Sequence, residues 1–296
     1  MPLATLVSSL RTRLAEICRV SADSIVFLDG IDTTLTGIAR NVAGSLVISP
    51  PSSLAATIES VASMGQSIAV ARGLGREGAI ELACAEDIPD QSVAIIDSPS
   101  DPLGSLLSAV DAVRLARACS VLVIDERNAV LSGTSMLPLA AEFDNIVVLR
   151  SLETWTGAAH ESCPWAVASP RSAELLGLQH ATLSPEAVAT GLAAMDNVDS
   201  IAITLRNWRE ERSRLFRLLR KLSYLEPVPS WGPFLAARVN IVEREAVVTG
   251  LMARRIRIHV PNQIGLERFI RIGIGSRPMM ERLKWALLDL GPELMR

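Results

Sequence analysis

Lysine is scarce in this sequence. The 296 residues include only two lysines, Lys221 and Lys284, and both lie in late segments with helix-like apolar spacing. Covalent chemistry that needs a lysine amine, such as imine formation with a carbonyl group, therefore has no candidate residue before position 221.

Long apolar runs, close cysteine pairs and a basic N-terminal segment are also missing. Because no run approaches about eighteen uninterrupted apolar residues, we expect no membrane span. The first residues lack the basic region of a secretory signal. The four cysteines are scattered, which is typical of reduced thiols and indicates neither a disulfide framework nor a metal site. These absences predict a cytoplasmic protein.

The basic residues do not form a cluster of one sign. The formal net charge is −3, and arginines of the second half stand between acidic residues, as in Arg209-Glu210-Glu211-Arg212. This pattern is typical of a solvent-exposed helix face with charge pairs four residues apart. We therefore expect no nucleic-acid partner.

Short apolar segments alternate with helix-like segments from the N-terminus to about residue 170. This alternation predicts an α/β fold, with a mainly parallel sheet covered by helices on both faces. Ligands of such sheets bind at the carboxyl ends of the strands. The predicted strands are Ile25–Leu28, Ser45–Ile48, Ser67–Ala71, Ser92–Asp97, Val121–Asp125, Ile146–Leu149 and Trp165–Ala168.

The pattern changes after Pro170. A long helix is predicted from about Val198 to Leu222, and shorter strands and helices follow it. We therefore predict a large domain over residues 1–196, and a connecting helix with a small C-terminal α/β domain over residues 197–296. The strands predicted in the small domain are Phe234–Val242, Ile256–Val260 and Phe269–Ile274, before a last helix from Ser276 to Leu290.

Four acidic residues fall at or just after predicted strand ends: Asp29, Asp97, Asp101 and Asp125. Each is either ligand-facing or an ordinary polar loop residue. Three of them belong to short motifs in a fixed order, followed by a fourth motif near the C-terminus. The motifs are Asp29-Gly30-Ile31-Asp32, Asp101-Pro102-Leu103-Gly104, Val123-Ile124-Asp125-Glu126 and Phe269-Ile270-Arg271-Ile272-Gly273-Ile274-Gly275-Ser276.

This order of motifs and elements resembles the fold-type-I (class I/II) pyridoxal-phosphate aminotransferases. It is most similar to the histidinol-phosphate aminotransferase group and its decarboxylase relatives, from about residue 10 to residue 290, without the N-terminal arm of the family. The resemblance implies an aminotransferase-like large domain. It places the cofactor contacts of the family at Gly30, Ile31, Asp101, Asp125 and Asn128.

Several of these positions depart from the family pattern. The resemblance puts Thr154 at the position of the Schiff-base lysine, Ser53 near that of the stacking aromatic residue, and Ser162 at that of the phosphate-binding arginine. Asn128 replaces a tyrosine, and Asp101 replaces an amide. From these losses we expect no cofactor, or pyridoxal phosphate or pyridoxamine phosphate held only non-covalently.

Arg271 and His160 are the remaining candidates. Arg271 matches the arginine that clamps the substrate carboxylate in the family. It lies in an apolar segment, where an unpaired charge is costly, so it pairs with either a ligand carboxylate or an internal acid. His160 lies near the former cofactor loop, where it either supplies acid–base chemistry or fills space.

The sequence therefore predicts a degenerate, non-transaminating pseudoenzyme that binds a small carboxylate ligand or a protein partner and forms a homodimer. One alternative is an enzyme with altered chemistry in the same cleft, with His160 or Asp125 as the base. The other is an active aminotransferase or decarboxylase of amino-acid biosynthesis.

Overall fold

A computed structural model describes residues 2–42, 44–48, 52, 54, 68–70, 88, 91–152 and 163–295. Within these ranges the α-helices are α1 (Leu3–Cys18), α2 (Ile31–Asn41), α3 (Ala109–Ala118), α4 (Leu137–Glu142), α5 (Pro170–Leu175), α6 (Pro185–Asp196), α7 (Val198–Leu219), α8 (Arg244–Ala253) and α9 (Arg277–Leu294). The strands are β1 (Ile25–Phe27), β2 (Leu46–Ile48), β3 (Ile68–Val70), β4 (Val93–Asp97), β5 (Val121–Asp125), β6 (Ile146–Ser151), β7 (Pro164–Val167), β8 (Leu225–Pro227), β9 (Phe234–Val239) and β10 (Phe269–Gly273).

The larger sheet has seven strands in the order β1-β7-β6-β5-β4-β2-β3. Strands β2 to β6 are parallel to one another, whereas β7 is antiparallel to both β6 and β1. The predicted α/β class with a mainly parallel sheet is therefore confirmed. Its strands are short and apolar because they are buried on both faces.

Alternate residues of each strand reach opposite faces of the larger sheet. In β5, Leu122 and Ile124 join a core cluster that also contains residues of α1 and α3, whereas Val121 and Val123 join a second cluster with residues of α2. Helices therefore cover both faces, as the sequence predicts. The carboxyl ends of the central strands lie between the two helical layers, where ligands of such sheets bind.

The smaller sheet is antiparallel, in the order β10-β9-β8. One face packs on α7, α8 and α9 and includes Ile270 and Ile272, so the opposite face carries Phe269 and Arg271. This second face meets the loop after β4, where Leu103 packs against Ala236. The two sheets therefore meet at the carboxyl edge of β4.

One predicted strand is absent from the described structure. Residues 256–260 make only an isolated bridge, in which His259 and Arg271 exchange backbone hydrogen bonds of 3.0 and 2.9 Å. Pro261 follows two residues later and has no N–H to extend the ladder, which explains why the prediction was wrong. The domain boundary after residue 196 stays a prediction, although α7 begins at Val198.

None of the helices within the described ranges combines the length and the apolarity needed to cross a bilayer. The same part of the chain contains no group of three acidic, histidine or cysteine side chains arranged to hold a metal ion.

Candidate active site

Two buried aspartates end adjacent parallel strands of the larger sheet. Asp97 is the last residue of β4, Asp125 is the last residue of β5, and the two are register partners. Both are almost fully buried, with exposed fractions of 3% and 2%. Because ligands of parallel sheets bind at this edge, the pair marks the floor of the candidate site.

Asp97 keeps its proton more readily than an ordinary aspartate. Burial raises its pKa from 3.8 to about 7; the backbone N–H of Asp101 and the hydroxyl of Ser52 oppose this shift, and the charges of Asp125 and Asp101 add to it. The Asp101 N–H donates to Asp97 Oδ2 at 2.8 Å. The sequence marked Asp97 only as an acidic strand end, so its role in holding the Asp101 turn was missed.

Asp125 is paired with an arginine from its own loop. Arg127 Nε donates to Asp125 Oδ2 at 2.7 Å, and a terminal nitrogen of Arg127 lies 2.7 Å from Asp32 Oδ1. Burial raises the pKa of Asp125, and Arg127 opposes the rise. Burial alone would lower the pKa of Arg127, but the two carboxylates raise it. Arg127 was not predicted from the sequence, although its place two residues after a strand-end aspartate was a usable signal.

The first turn of α2 lies at the same edge. Gly30 is its N-cap residue and contributes no capping side chain, so the first N–H groups of the helix are available for an anion. Ile31 has a buried side chain in the core, so only its backbone can face the site. Asp32, in the first turn, brings a negative charge that Arg127 offsets.

Arg271 reaches the site from the smaller sheet. One of its terminal nitrogens lies 2.7 Å from Asp101 Oδ2, and its guanidinium lies 3.9 Å from the centre of the Phe234 ring. The sequence left open whether Arg271 pairs with a ligand carboxylate or an internal acid. The structure shows an internal acid, Asp101.

Glu126, the residue after Asp125, links the strand end that carries Asp125 to neighbouring elements. It is buried and accepts hydrogen bonds from Arg150 Nε at 3.1 Å, from the Ser135 hydroxyl at 2.6 Å and from the backbone N–H of Met136. These contacts tie β5 to β6 and to the start of α4. Asn128, at the predicted tyrosine position, precedes the short 3₁₀ turn Ala129–Leu131.

The structure thus brings Gly30, Asp101, Asp125 and Arg271 to one region, together with Asp97 and Arg127. Thr154 and His160 lie outside the described residues, as do Ser53 and Ser162. Both lysines lie in the C-terminal part of the chain. Lys221 is in the turn after α7, and Lys284 pairs with Glu281 at 3.1 Å on α9.

The architecture is that of the aminotransferases. The solved structure of histidinol-phosphate aminotransferase from Sinorhizobium meliloti, in complex with pyridoxal-5′-phosphate, superposes with a TM-score of 0.81. The match covers 97% of this chain and 81% of that chain at 23% sequence identity. A structural match at this level of sequence identity establishes the fold alone.

Sequence comparison gives the same class. The chain is 29% identical to histidinol-phosphate aminotransferase 2 of Archaeoglobus fulgidus over 209 residues, which span 70% of this chain and 60% of the relative. It is 28% identical to the histidinol-phosphate aminotransferase of Thermococcus gammatolerans over 277 residues, or 90% of this chain and 76% of the relative. No family model matches the chain. The chain is therefore similar in sequence to histidinol-phosphate aminotransferases and has the fold of the fold-type-I aminotransferases.

The expectation of no cofactor is contradicted by these comparisons. The relatives are aminotransferases, and the solved neighbour from Sinorhizobium meliloti holds pyridoxal phosphate. The expectation was based on the departures at Thr154, Ser53 and Ser162, and it neglected the cofactor-binding features that the chain retains. The described structure keeps Asp125 at the sheet edge and the uncapped first turn of α2 beside it.

Proposed function

We propose that this chain binds pyridoxal phosphate as its cofactor but does not transaminate, because it has no lysine for the covalent step. The carrying observation is the position of the two lysines. Lys221 follows α7 and Lys284 lies on α9, and both helices pack on the smaller sheet on its face away from Arg271. No other lysine exists in the sequence.

Two features of the cleft fit the cofactor. Asp125 is a buried carboxyl group at the end of β5, suited to accept a hydrogen bond from a protonated ring nitrogen. The first turn of α2 is suited to hold a phosphate through its backbone N–H groups. One feature opposes binding: Arg127 pairs with both Asp125 and Asp32, so the ring nitrogen must compete with a guanidinium.

The bound cofactor supplies an aldehyde and an electron-accepting ring. In the active enzymes of such a class, a lysine amine both holds the aldehyde covalently and moves a substrate proton. This chain offers carboxyl groups instead, at Asp97, Asp101 and Asp125. They can orient a ligand and hold a proton, but they cannot form an imine. We therefore infer a binding or regulatory protein, and we propose that it forms a homodimer.

Borohydride reduction tests the missing covalent step. We expect wild-type protein incubated with pyridoxal phosphate, reduced and analysed by intact mass to carry no cofactor in the cleft. Thr154→Lys is expected to carry one cofactor per chain, located by peptide mapping at position 154, because the resemblance places the family lysine there. The matched control is Thr156→Lys, which adds the same side chain two residues further on and is expected to remain unlabelled.

Equilibrium dialysis of pyridoxal phosphate against each variant completes the test. Reversible binding by the wild type, weakened by Asp125→Ala, supports the proposal. Turnover of an amino donor with an oxo acid by the wild type would show an active aminotransferase and overturn it. Absence of binding by both the wild type and Thr154→Lys would refute the cofactor assignment.

A further inference from the structure

The guanidinium of Arg271 has only some of its N–H groups in hydrogen bonds. It lies on the open face of the smaller sheet, over the Phe234 ring, and bonds Asp101 through one terminal nitrogen. Its Nε is buried and has no hydrogen-bond partner among the described residues. Arginine binds carboxylates best through two parallel N–H groups, so this contact leaves one strong donor unsatisfied.

Asp101 is held firmly in this contact. Its backbone N–H donates to Asp97 Oδ2 at 2.8 Å. The turn that carries it is closed by the Gly104 N–H, which donates to the Ser100 carbonyl oxygen at 2.6 Å. The Gly104 carbonyl oxygen in turn accepts the N–H of Trp231 at 2.9 Å, which joins the turn to the segment before β9.

A carboxylate attached to the same chain competes with a free one at a high effective concentration. The fold and the fixed turn around Asp101 hold this carboxylate beside Arg271. A free carboxylate must therefore displace Asp101 before it can accept two parallel hydrogen bonds, from Nε and a terminal nitrogen of Arg271. Side chains of the two residues are each about one-fifth exposed, at 22% for Arg271 and 20% for Asp101, so a ligand can reach the pair.

We propose that Asp101 is a specificity-determining residue of the cleft, an internal carboxylate that excludes simple monocarboxylates from Arg271. A ligand without a carboxylate meets an arginine whose charge is already balanced. A monocarboxylate meets a competitor already in place. This inference rests on the proposed function only in taking the cleft as the ligand site, and its test needs no pyridoxal phosphate.

The test measures propionate binding to the full chain by ligand-observed NMR, without cofactor. We expect Asp101→Asn to lower the Kd for propionate by about tenfold or more, because the competing charge is gone while the backbone N–H of residue 101 stays. The Kd for propionamide, which has the same shape without the charge, is expected to stay unchanged. Adding Arg271→Gln to the variant is expected to abolish the gain.

Two further variants keep the result interpretable. Asp101→Ser removes the charge with a smaller side chain and is expected to give the same gain if Asp101→Asn does not fold. Asp289→Asn removes one charge from an exposed ion pair with Arg254 and is expected to leave propionate binding unchanged. A folded Asp101→Asn or Asp101→Ser protein that binds propionate no better than the wild type would overturn the inference. Failure of the Thr154→Lys labelling would not, because the two tests share neither ligand nor variant.

Discussion

Replacement of Glu126 by alanine is expected to lower the free energy of unfolding by about 3–5 kcal/mol, the usual cost of removing one partner from a buried ion pair. The Glu126 side chain is 2% exposed and pairs with Arg150, which is only 15% exposed. Alanine would leave the guanidinium of Arg150 without its carboxylate. It would also remove the acceptor for the Ser135 hydroxyl and the Met136 N–H. Urea unfolding, followed by circular dichroism, measures the change.

Glu142→Ala is the matched control for this prediction. Glu142 is the exposed last residue of α4, close in sequence to Glu126. Its replacement is expected to change the free energy of unfolding by no more than about 0.5 kcal/mol, as is usual for surface positions. If Glu126→Ala cost as little as the control, the buried network around Glu126 would not stabilise the fold.

Asp97→Asn is expected to be more stable than the wild type above pH 7 and about equally stable near pH 4. The pKa of Asp97 is raised from 3.8 to about 7 in the folded protein, chiefly by burial. A raised carboxyl pKa means that the folded state binds more protons than the unfolded state between these values. Wild-type stability therefore falls as the pH rises through this window, by on the order of 4 kcal/mol from a shift of about three pH units. Asparagine cannot ionise and still accepts the Asp101 N–H.

The measurement is the difference in free energy of unfolding between Asp97→Asn and the wild type, at intervals from about pH 4 to pH 8. The difference is expected to grow with pH and to level off above pH 7. Glu142→Gln, which removes an exposed carboxylate, is expected to show no such growth. If the free energy of unfolding changed with pH in the same way for Asp97→Asn and the wild type, the raised pKa of Asp97 would be contradicted.

The fold was largely predictable because its determinants are local. Strands such as β4 and β5 are short and apolar up to a final aspartate, and their length and continuous apolar sequence indicate buried parallel strands. Helix α1 occupies Leu3–Cys18, where Leu3, Leu6, Leu10 and Leu14 recur at helical spacing. The strand predicted at residues 256–260 is reduced to the single bridge between His259 and Arg271, because Pro261 has no N–H to extend the ladder.

The candidate site was less predictable because its contacts are remote in sequence. Asp101 and Arg271 are 170 residues apart, and nothing near either residue specifies the other. Arg127 is two residues from Asp125 in sequence, but its second partner, Asp32, comes from the start of α2. The sequence thus supplied the acidic strand ends and Arg271, whereas their internal pairing required the fold.

The antiparallel strand β7 has a consequence for the order of folding. Among the described strands, β1 pairs only with β7, and the register partners Ile25 and Val167 are 142 residues apart. During synthesis at about 5–20 residues per second, β1 therefore has no strand partner for roughly 7–28 seconds after it is made. The parallel strands β2 to β6 are all complete before β7 is made. The N-terminal strand is thus added to the sheet late, although it is synthesised first.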